Sequence, residues 1–275
     1  MNYEFILGGA LVGFIVGATG VGGGSLMTPL LTLAFGVPAQ VAVGTDLLFA
    51  GFTKAHGAWA HSRRGNVDWS ITGWLAAGSL PASLATLFAM RMAGPHSAGF
   101  DHTVSRALGC TLILTATALI FREQIRALGM RVAAGGSRRG LAAAASFGTV
   151  SLDSPAAHAR PLPTALLGAV IGSLVTLTSV GAGVIGVVAL LFLYPRLETR
   201  RIVGADIAHA VPLTLLAGFG HVGLGTVNWA MLGALLIGSL PAITVGALVA
   251  HRLPDRALRF ALSLMLLLLG ARLLH

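Results

Sequence analysis

Ionisable side chains are rare in the apolar parts of this sequence, and one of them is the single lysine of the chain, Lys54. It lies about nine residues before the nearest basic loop, which is roughly 13 Å of helix at 1.5 Å per residue. A lysine side chain covers about half of that distance, so simple snorkelling to the interface is not expected. Asp46 lies two helical turns earlier on the same face. An ionisable residue at this depth predicts an anion-binding role, with a purely structural pair between lysine and carboxylate as the alternative.

Two aspartates and a histidine could support such a site. Asp46 and Asp206 each follow a Gly-x dipeptide near the start of an apolar run. A carboxylate there could orient the site or couple protons, and it could equally cap a helix or occupy its first turn. His209, one turn after Asp206, is a further candidate for coupling because histidine changes charge near neutral pH. Packing is the alternative for His209, whereas His61 and His221 are expected at the membrane interface.

Gly-rich segments interrupt two long apolar runs, at residues 20–24 and 179–183. Glycine costs a helix interior about 1 kcal/mol relative to alanine, so these segments predict helix breaks. The N-terminus of the helix that follows a break carries about half a positive charge and unpaired N–H groups, which suit a small anion. Close helix packing is the alternative role of these glycines. The predicted substrate-binding residues are Thr19, Gly20, Gly22, Gly23, Gly24, Ser25, Lys54, Ser179, Gly181 and Gly183.

The composition of the chain indicates an integral membrane protein. Of its 275 residues 10% are charged and 55% are hydrophobic, with a mean hydropathy of +0.85, whereas soluble domains carry about 25% charged residues. Six apolar runs have the length of one membrane span. Two longer runs, 5–36 and 162–194, are the ones that the Gly-rich segments divide. No Lys or Arg precedes the first run, so a cleavable signal is not expected.

The two halves of the sequence repeat. With a shift of 160 residues, 14 of the 39 positions from 44 to 82 are identical, including Gly78-Ser79-Leu80-Pro81-Ala82 and its counterpart at 238–242. We therefore predict an all-α polytopic membrane protein with two inverted repeats. Each repeat comprises a hairpin of half-helices, broken at a Gly-rich turn, and three full transmembrane helices. The predicted units are 1–121, a cytoplasmic and partly disordered linker at 122–160, and 161–275.

The distribution of arginines favours the inverted arrangement. If each long run is a hairpin, fourteen arginines share one side of the membrane and three lie on the other, whereas single crossings would divide them nine to eight. Short cytoplasmic loops carry the excess of positive charge. The protein is therefore predicted to lie in the cell (inner) membrane, with the arginine-rich loops and the linker on the cytoplasmic side. Both termini are predicted to lie on the opposite, outer side.

Several residues resemble a known family. The segment from Gly17 to Leu31, Gly17-Ala18-Thr19-Gly20-Val21-Gly22-Gly23-Gly24-Ser25-Leu26-Met27-Thr28-Pro29-Leu30-Leu31, followed by Val37-Pro38 and Val43-Gly44-Thr45-Asp46, resembles the sulfite exporter TauE/SafE family of membrane permeases. The resemblance extends over essentially the whole chain and is looser in the second half, which has Ala182 in place of Gly23. It implies a multi-pass protein that moves small sulfur-containing anions such as sulfite or organosulfonates.

The sequence thus predicts a secondary transporter that holds a small oxyanion between the two helix breaks near the membrane midplane. No nucleotide-binding motif, cofactor site or metal site is predicted, and no nucleic acid is expected as a partner. The expected partners are the anion and the lipid bilayer, and a homodimer is left open. The alternatives are a membrane-embedded hydrolase that uses Ser25 with His56, and an assembly protein that transports nothing.

Overall fold

The computed structural model describes residues 3–19, 24–63, 65–94, 98–132, 160–249 and 255–274. These residues form helices joined by short connections, and none of them lies in a strand. Residues 122–132 are also helical. The ten named helices are α1 (Tyr3–Thr19), α2 (Gly24–Leu33), α3 (Ala39–Arg63), α4 (Trp69–Ala93), α5 (Ala98–Ile120), α6 (Pro161–Thr178), α7 (Val184–Leu193), α8 (Thr199–Gly223), α9 (Trp229–Val249) and α10 (Asp255–Leu274).

The all-helical fold class is confirmed, and so is the division of both long apolar runs. The first run forms α1 and α2, and the second forms α6 and α7. The two members of each pair differ in length. Helices α2 and α7 have 10 residues each, about 15 Å, which is half of the hydrocarbon core. Helices α1 and α6 have 17 and 18 residues, about 26 Å, and are therefore longer than half-helices.

Five of the described helices are long and apolar enough to cross a membrane: Trp69–Ala93, Gly99–Ile120, Pro161–Thr178, Thr199–Gly223 and Trp229–Val249. Helix α3 has 25 residues, as α4 does, but it carries Asp46 and Lys54 within its length. It packs against α8 in the interior of the bundle. The polar helix of the first half is therefore shielded by its more apolar neighbours.

Helices of the two halves pack in equivalent pairs. Helix α1 contacts α9, and α6, its counterpart, contacts α4. Gly13 of α1 faces Ser239 of α9, and Gly172 of α6 faces Ser79 of α4. A Cβ atom at either glycine would lie 2.7 Å from the serine Cα atom. Both helix pairs can therefore pack this closely only because glycine has no side chain.

Helices α3 and α8 are antiparallel. Gly44, near the start of α3, lies against Thr226, just beyond the end of α8. Gly204, near the start of α8, lies against Asn66, just beyond the end of α3. Because these two helices occupy equivalent positions in the duplicated sequence, this pairing is what an inverted repeat requires. The orientation of the two halves within a membrane remains a prediction.

The structure also describes part of the predicted linker. Residues 122–132 are helical rather than irregular, and Gly129 packs closely on the backbone of Phe192 in α7. The first part of the segment therefore belongs to the packed helices. The remaining linker residues from 133 to 159 lie outside the described part of the chain.

Candidate functional site

Lys54 connects the first half of the chain to the helix break of the second half. It is partly buried in α3, and its Nζ atom donates a hydrogen bond of 2.9 Å to the carbonyl oxygen of Ala182. Ala182 lies in the Gly-rich segment between α6 and α7. An ammonium group has three donors, so this bond leaves capacity for a second, negatively charged partner.

The break itself depends on backbone conformations that favour glycine. Gly181 and Gly183 have φ angles of 127° and 132°, and Ser179 has a φ of 59°. These left-handed conformations end α6 and redirect the chain into α7. The N–H groups of Gly186 and Val187 donate to the carbonyl oxygens of Gly181 and Gly183, so the first-turn N–H groups of α7 that can face a ligand are those of Val184 and Ile185. The predicted residues Ser179, Gly181 and Gly183 are thus grouped with Lys54 at this break.

Asp46 is fully buried and has a fixed partner. It is the eighth residue of α3, so the alternative of a helix cap or first-turn carboxylate is wrong. Its Oδ2 atom accepts a hydrogen bond of 2.5 Å from the hydroxyl of Thr28 in α2. This charge-assisted bond joins the half-length helix of the first half to α3.

Asp206 is the eighth residue of α8, and for it too the capping alternative is wrong. Its side chain is 1% exposed, and neither carboxylate oxygen has a hydrogen-bond partner among the described residues. It lies so close to Gly186, in the first turn of α7, that a Cβ atom there would overlap Oδ1. No direct ion pair joins Asp206 to Lys54 in the described part of the chain.

His209 is buried on the same helix, one turn beyond Asp206. Its Nε2 atom lies 2.7 Å from the hydroxyl of Ser79 in α4, and its Nδ1 atom has no partner in the described part of the chain. The structure thus brings His209 into the same interior region as Asp206 and Lys54. Which ring nitrogen carries the proton depends on the tautomer.

His221 lies in the last turn of α8, at the end of a span, but it faces the protein interior. Its side chain is fully buried, with Nδ1 2.8 Å from the Thr226 hydroxyl and Nε2 3.0 Å from the Thr176 carbonyl oxygen. Both ring nitrogens are therefore occupied by contacts that hold the end of α8 against α6. His221 is a packing residue.

The first break lies mostly outside the described residues. Thr19 ends α1, and Gly24 and Ser25 begin α2. Gly20, Gly22 and Gly23 fall in the gap between these helices, and the side chains of Thr19, Ser25 and His56 are likewise outside the described part. The prediction that the two breaks face each other across an anion therefore stays a prediction.

Three residues that the sequence analysis did not select complete the site. Thr28 holds Asp46, Ser79 contacts His209, and Gly186 leaves room for Asp206. Ser79 had a signal because it belongs to the duplicated Gly-Ser-Leu-Pro-Ala motif, and Thr28 had one because it belongs to the segment Gly17 to Leu31 that carries the family resemblance. Gly186 resembles the many other small residues of apolar helices.

This arrangement can bind a small anion and can hold a proton. Lys54 forms no direct ion pair with Asp46 or Asp206 among the described residues, so its positive charge is available to a ligand. Among the described residues, no three His, Cys, Asp or Glu side chains come together as metal ligands. The chemistry available is therefore that of one ammonium group, two carboxyl groups, an imidazole and the start of α7.

The chain as a whole is similar to known membrane transporter proteins. The model of one family, described as sulfite exporter TauE/SafE, matches residues 5–273. The chain is 31% identical over 278 residues to the probable membrane transporter protein YjnA of Bacillus subtilis, with all of both chains covered. It is 26% identical over 254 residues to the probable membrane transporter protein YdhB of the same organism, with 92% of each chain covered. No solved structure matches the chain significantly.

Proposed function

The chain belongs to the sulfite exporter TauE/SafE family of membrane transporters, and on that premise we propose that it carries small sulfur-containing oxyanions such as sulfite or organosulfonates. It is a multi-pass membrane transporter and not an enzyme. Transport is secondary and proceeds by alternating access, in which the two halves rock around a central site.

The observation that carries the proposal is the hydrogen bond from Lys54 Nζ to Ala182 O. It brings the lysine to the break at which α7 begins, so the ammonium and the first N–H groups of α7 can bind one anion together. Asp46, Asp206 and His209 orient the site or couple protons. The first break, from Thr19 to Ser25, supplies the opposing N–H groups when the site is closed.

Flux of labelled sulfite and of a panel of organosulfonates and carboxylates into proteoliposomes tests this function. We expect wild-type protein to transport at least one sulfur oxyanion in preference to carboxylates of the same charge. Exclusive transport of carboxylates, or of cations, would overturn the substrate class.

The Lys54→Ala variant tests the site. Loss of a charge-assisted hydrogen bond of about 1.5–3 kcal/mol corresponds to a roughly 10- to 100-fold weaker interaction with the anion. We expect uptake to fall by about that factor at low substrate concentration. Arg272→Ala removes an exposed positive charge at the end of α10 and is the control that keeps wild-type flux. Undiminished flux in Lys54→Ala would remove the lysine from the mechanism.

A further inference from the structure

The two equivalent aspartates differ in their hydrogen bonds. Asp46 accepts a bond from Thr28 of α2 through Oδ2, and its Oδ1 atom has no partner among the described residues. Asp206 faces Gly186 of α7, which has no side chain to donate one, and both of its oxygens lack a partner among the described residues. The half-length helix therefore holds one carboxylate and leaves the other free to change its state.

Few charged groups surround Asp206. Helix α3 supplies Lys54 and Asp46, and neither makes an ion pair or a hydrogen bond with Asp206 in the described part of the chain. Helices α6 and α7 have no ionisable side chain in their sequences, and the one in α4 is Arg91, in its last turn. On α8 itself, His209 lies one turn away and contacts Ser79. Lys54 lies at the break before α7 and Asp206 lies against Gly186 in its first turn, so Lys54 is the cation that this site offers to a charged Asp206.

A buried carboxylate without hydrogen bonds is costly unless a cation compensates it. In the absence of substrate, Lys54 and the first turn of α7 supply that compensation. These are the groups that the proposed anion also uses. In the absence of substrate, Asp206 thus serves as the anion of the binding site. When a substrate binds Lys54, the positive charge of the lysine no longer compensates the negative charge of the carboxylate.

We propose that Asp206 is the proton-coupling residue of the transporter, and that each bound anion is accompanied by one proton on its carboxyl group. The inference rests on the proposed function and deepens it. The proton comes from the aqueous side on which the anion enters, forms an O–H bond with a carboxylate oxygen of Asp206, and leaves when the anion leaves. Asp46, which Thr28 holds, does not exchange this proton.

Two consequences follow from the competition for Lys54. Anion and proton promote each other's binding, so transport is symport and apparent anion affinity rises as pH falls. One monoanion with one proton carries no net charge. A sulfonate is therefore moved electroneutrally, and it accumulates on the alkaline side of a pH gradient.

Uptake into proteoliposomes tests the inference, with methanesulfonate as the first probe because its charge does not change near neutral pH. If wild-type protein does not carry it, the probe is the sulfur oxyanion that gives the largest flux. We expect Asp206→Asn to lose accumulation driven by a pH gradient while retaining exchange of labelled for unlabelled anion within a few-fold of wild type. Glu4→Gln, which neutralises an exposed carboxylate of α1, is the control and retains both. In Asp46→Asn the flux that remains stays coupled to the pH gradient. Loss of coupling in Asp46→Asn, or retained coupling in Asp206→Asn, would overturn the proposal.

Infrared difference spectroscopy of the purified protein separates this inference from the proposed function. A pH titration of wild-type protein in detergent is expected to show the carbonyl stretch of a protonated carboxylic acid, absent in Asp206→Asn and present in Asp46→Asn. If the band appears but no sulfur oxyanion is carried, the proposed substrate fails and the proton site remains. If Asp206→Asn leaves the spectrum unchanged, the proton site is wrong even where flux is normal.

Discussion

Hydrogen-bond partners divide the buried polar side chains of this protein into two kinds. Asp46, through Oδ2, and His221, through both ring nitrogens, have contacts that hold them in place. Both oxygens of Asp206, Oδ1 of Asp46 and one nitrogen of His209 have no partner among the described residues. Unsatisfied buried groups are rare in folded proteins because each costs free energy. At the residue scale, Asp206 is the carboxylate whose two oxygens are both unpaired, and we propose that its charge changes during transport.

Thr28 is expected to stabilise the fold through Asp46. In Thr28→Val the carboxylate loses its hydroxyl donor without a change in side-chain volume, and the free energy of unfolding should fall by about 1–3 kcal/mol. Thermal unfolding in detergent measures the loss. Thr28→Ser keeps the hydroxyl and should remain close to wild type. A Thr28→Val variant as stable as wild type would mean that the hydrogen bond contributes nothing net.

Ser79 allows a test of the His209 contact, because the equivalent serine in the second half of the chain serves as a control. Ser79→Ala removes the 2.7 Å contact with His209 and should lower the melting temperature, because a buried imidazole nitrogen loses its partner at about 1–3 kcal/mol. Ser239, its counterpart in the second half, makes only a 3.4 Å bond to the carbonyl of Leu236 in its own helix. Ser239→Ala should therefore be nearly neutral. Equal losses in both variants would contradict the role given to the His209 contact.

Glycines let the helices of opposite halves approach closely. Gly78 of α4 packs on the carbonyl of Ala165 in α6, and Gly238 of α9 packs in the same way on Ile6 in α1. The two glycines are themselves equivalent in the duplicated sequence. At the scale of elements, the pairs α4 with α6 and α1 with α9 position the helices around the central site.

Gly78→Ala tests the α4 and α6 pair. The added Cβ atom would overlap the carbonyl oxygen of Ala165, so the helices must separate. We expect a lower melting temperature and reduced flux. Gly73→Ala is the matched control on the same helix, because an added methyl group there would meet no atom within 4 Å and alanine favours a helix by about 1 kcal/mol. If Gly78→Ala matched Gly73→Ala in stability, the close approach would not be needed.

Local features of this fold could be predicted from the sequence, and contacts between distant segments could not. The break before α7 could be predicted from Gly181 and Gly183, because the conformational freedom of a glycine interrupts the helix in which it lies. The contact between Lys54 and Ala182 joins residues 128 positions apart and depends on how α3 packs on α8. The burial of His221 could not be predicted for the same reason, because its partner Thr176 lies on another helix. Repetition in the sequence indicated two similar halves but not which side chains would meet between them.

At the scale of the whole molecule, the arginine distribution predicts that the loops after α3 and before α8 share the cytoplasmic side. The ion pair of 3.9 Å between Arg201 and Asp68 supports this prediction, because it joins the start of α8 to the loop that follows α3. In a background with Cys110 replaced by alanine, we expect Ser62→Cys and Arg200→Cys to be labelled by an impermeant maleimide only after cells are permeabilised. Met92→Cys and Arg272→Cys, at the other predicted face, should be labelled in intact cells. Labelling of Ser62→Cys and Arg200→Cys from opposite sides would refute the inverted repeat, since parallel halves would place these loops on different faces of the membrane.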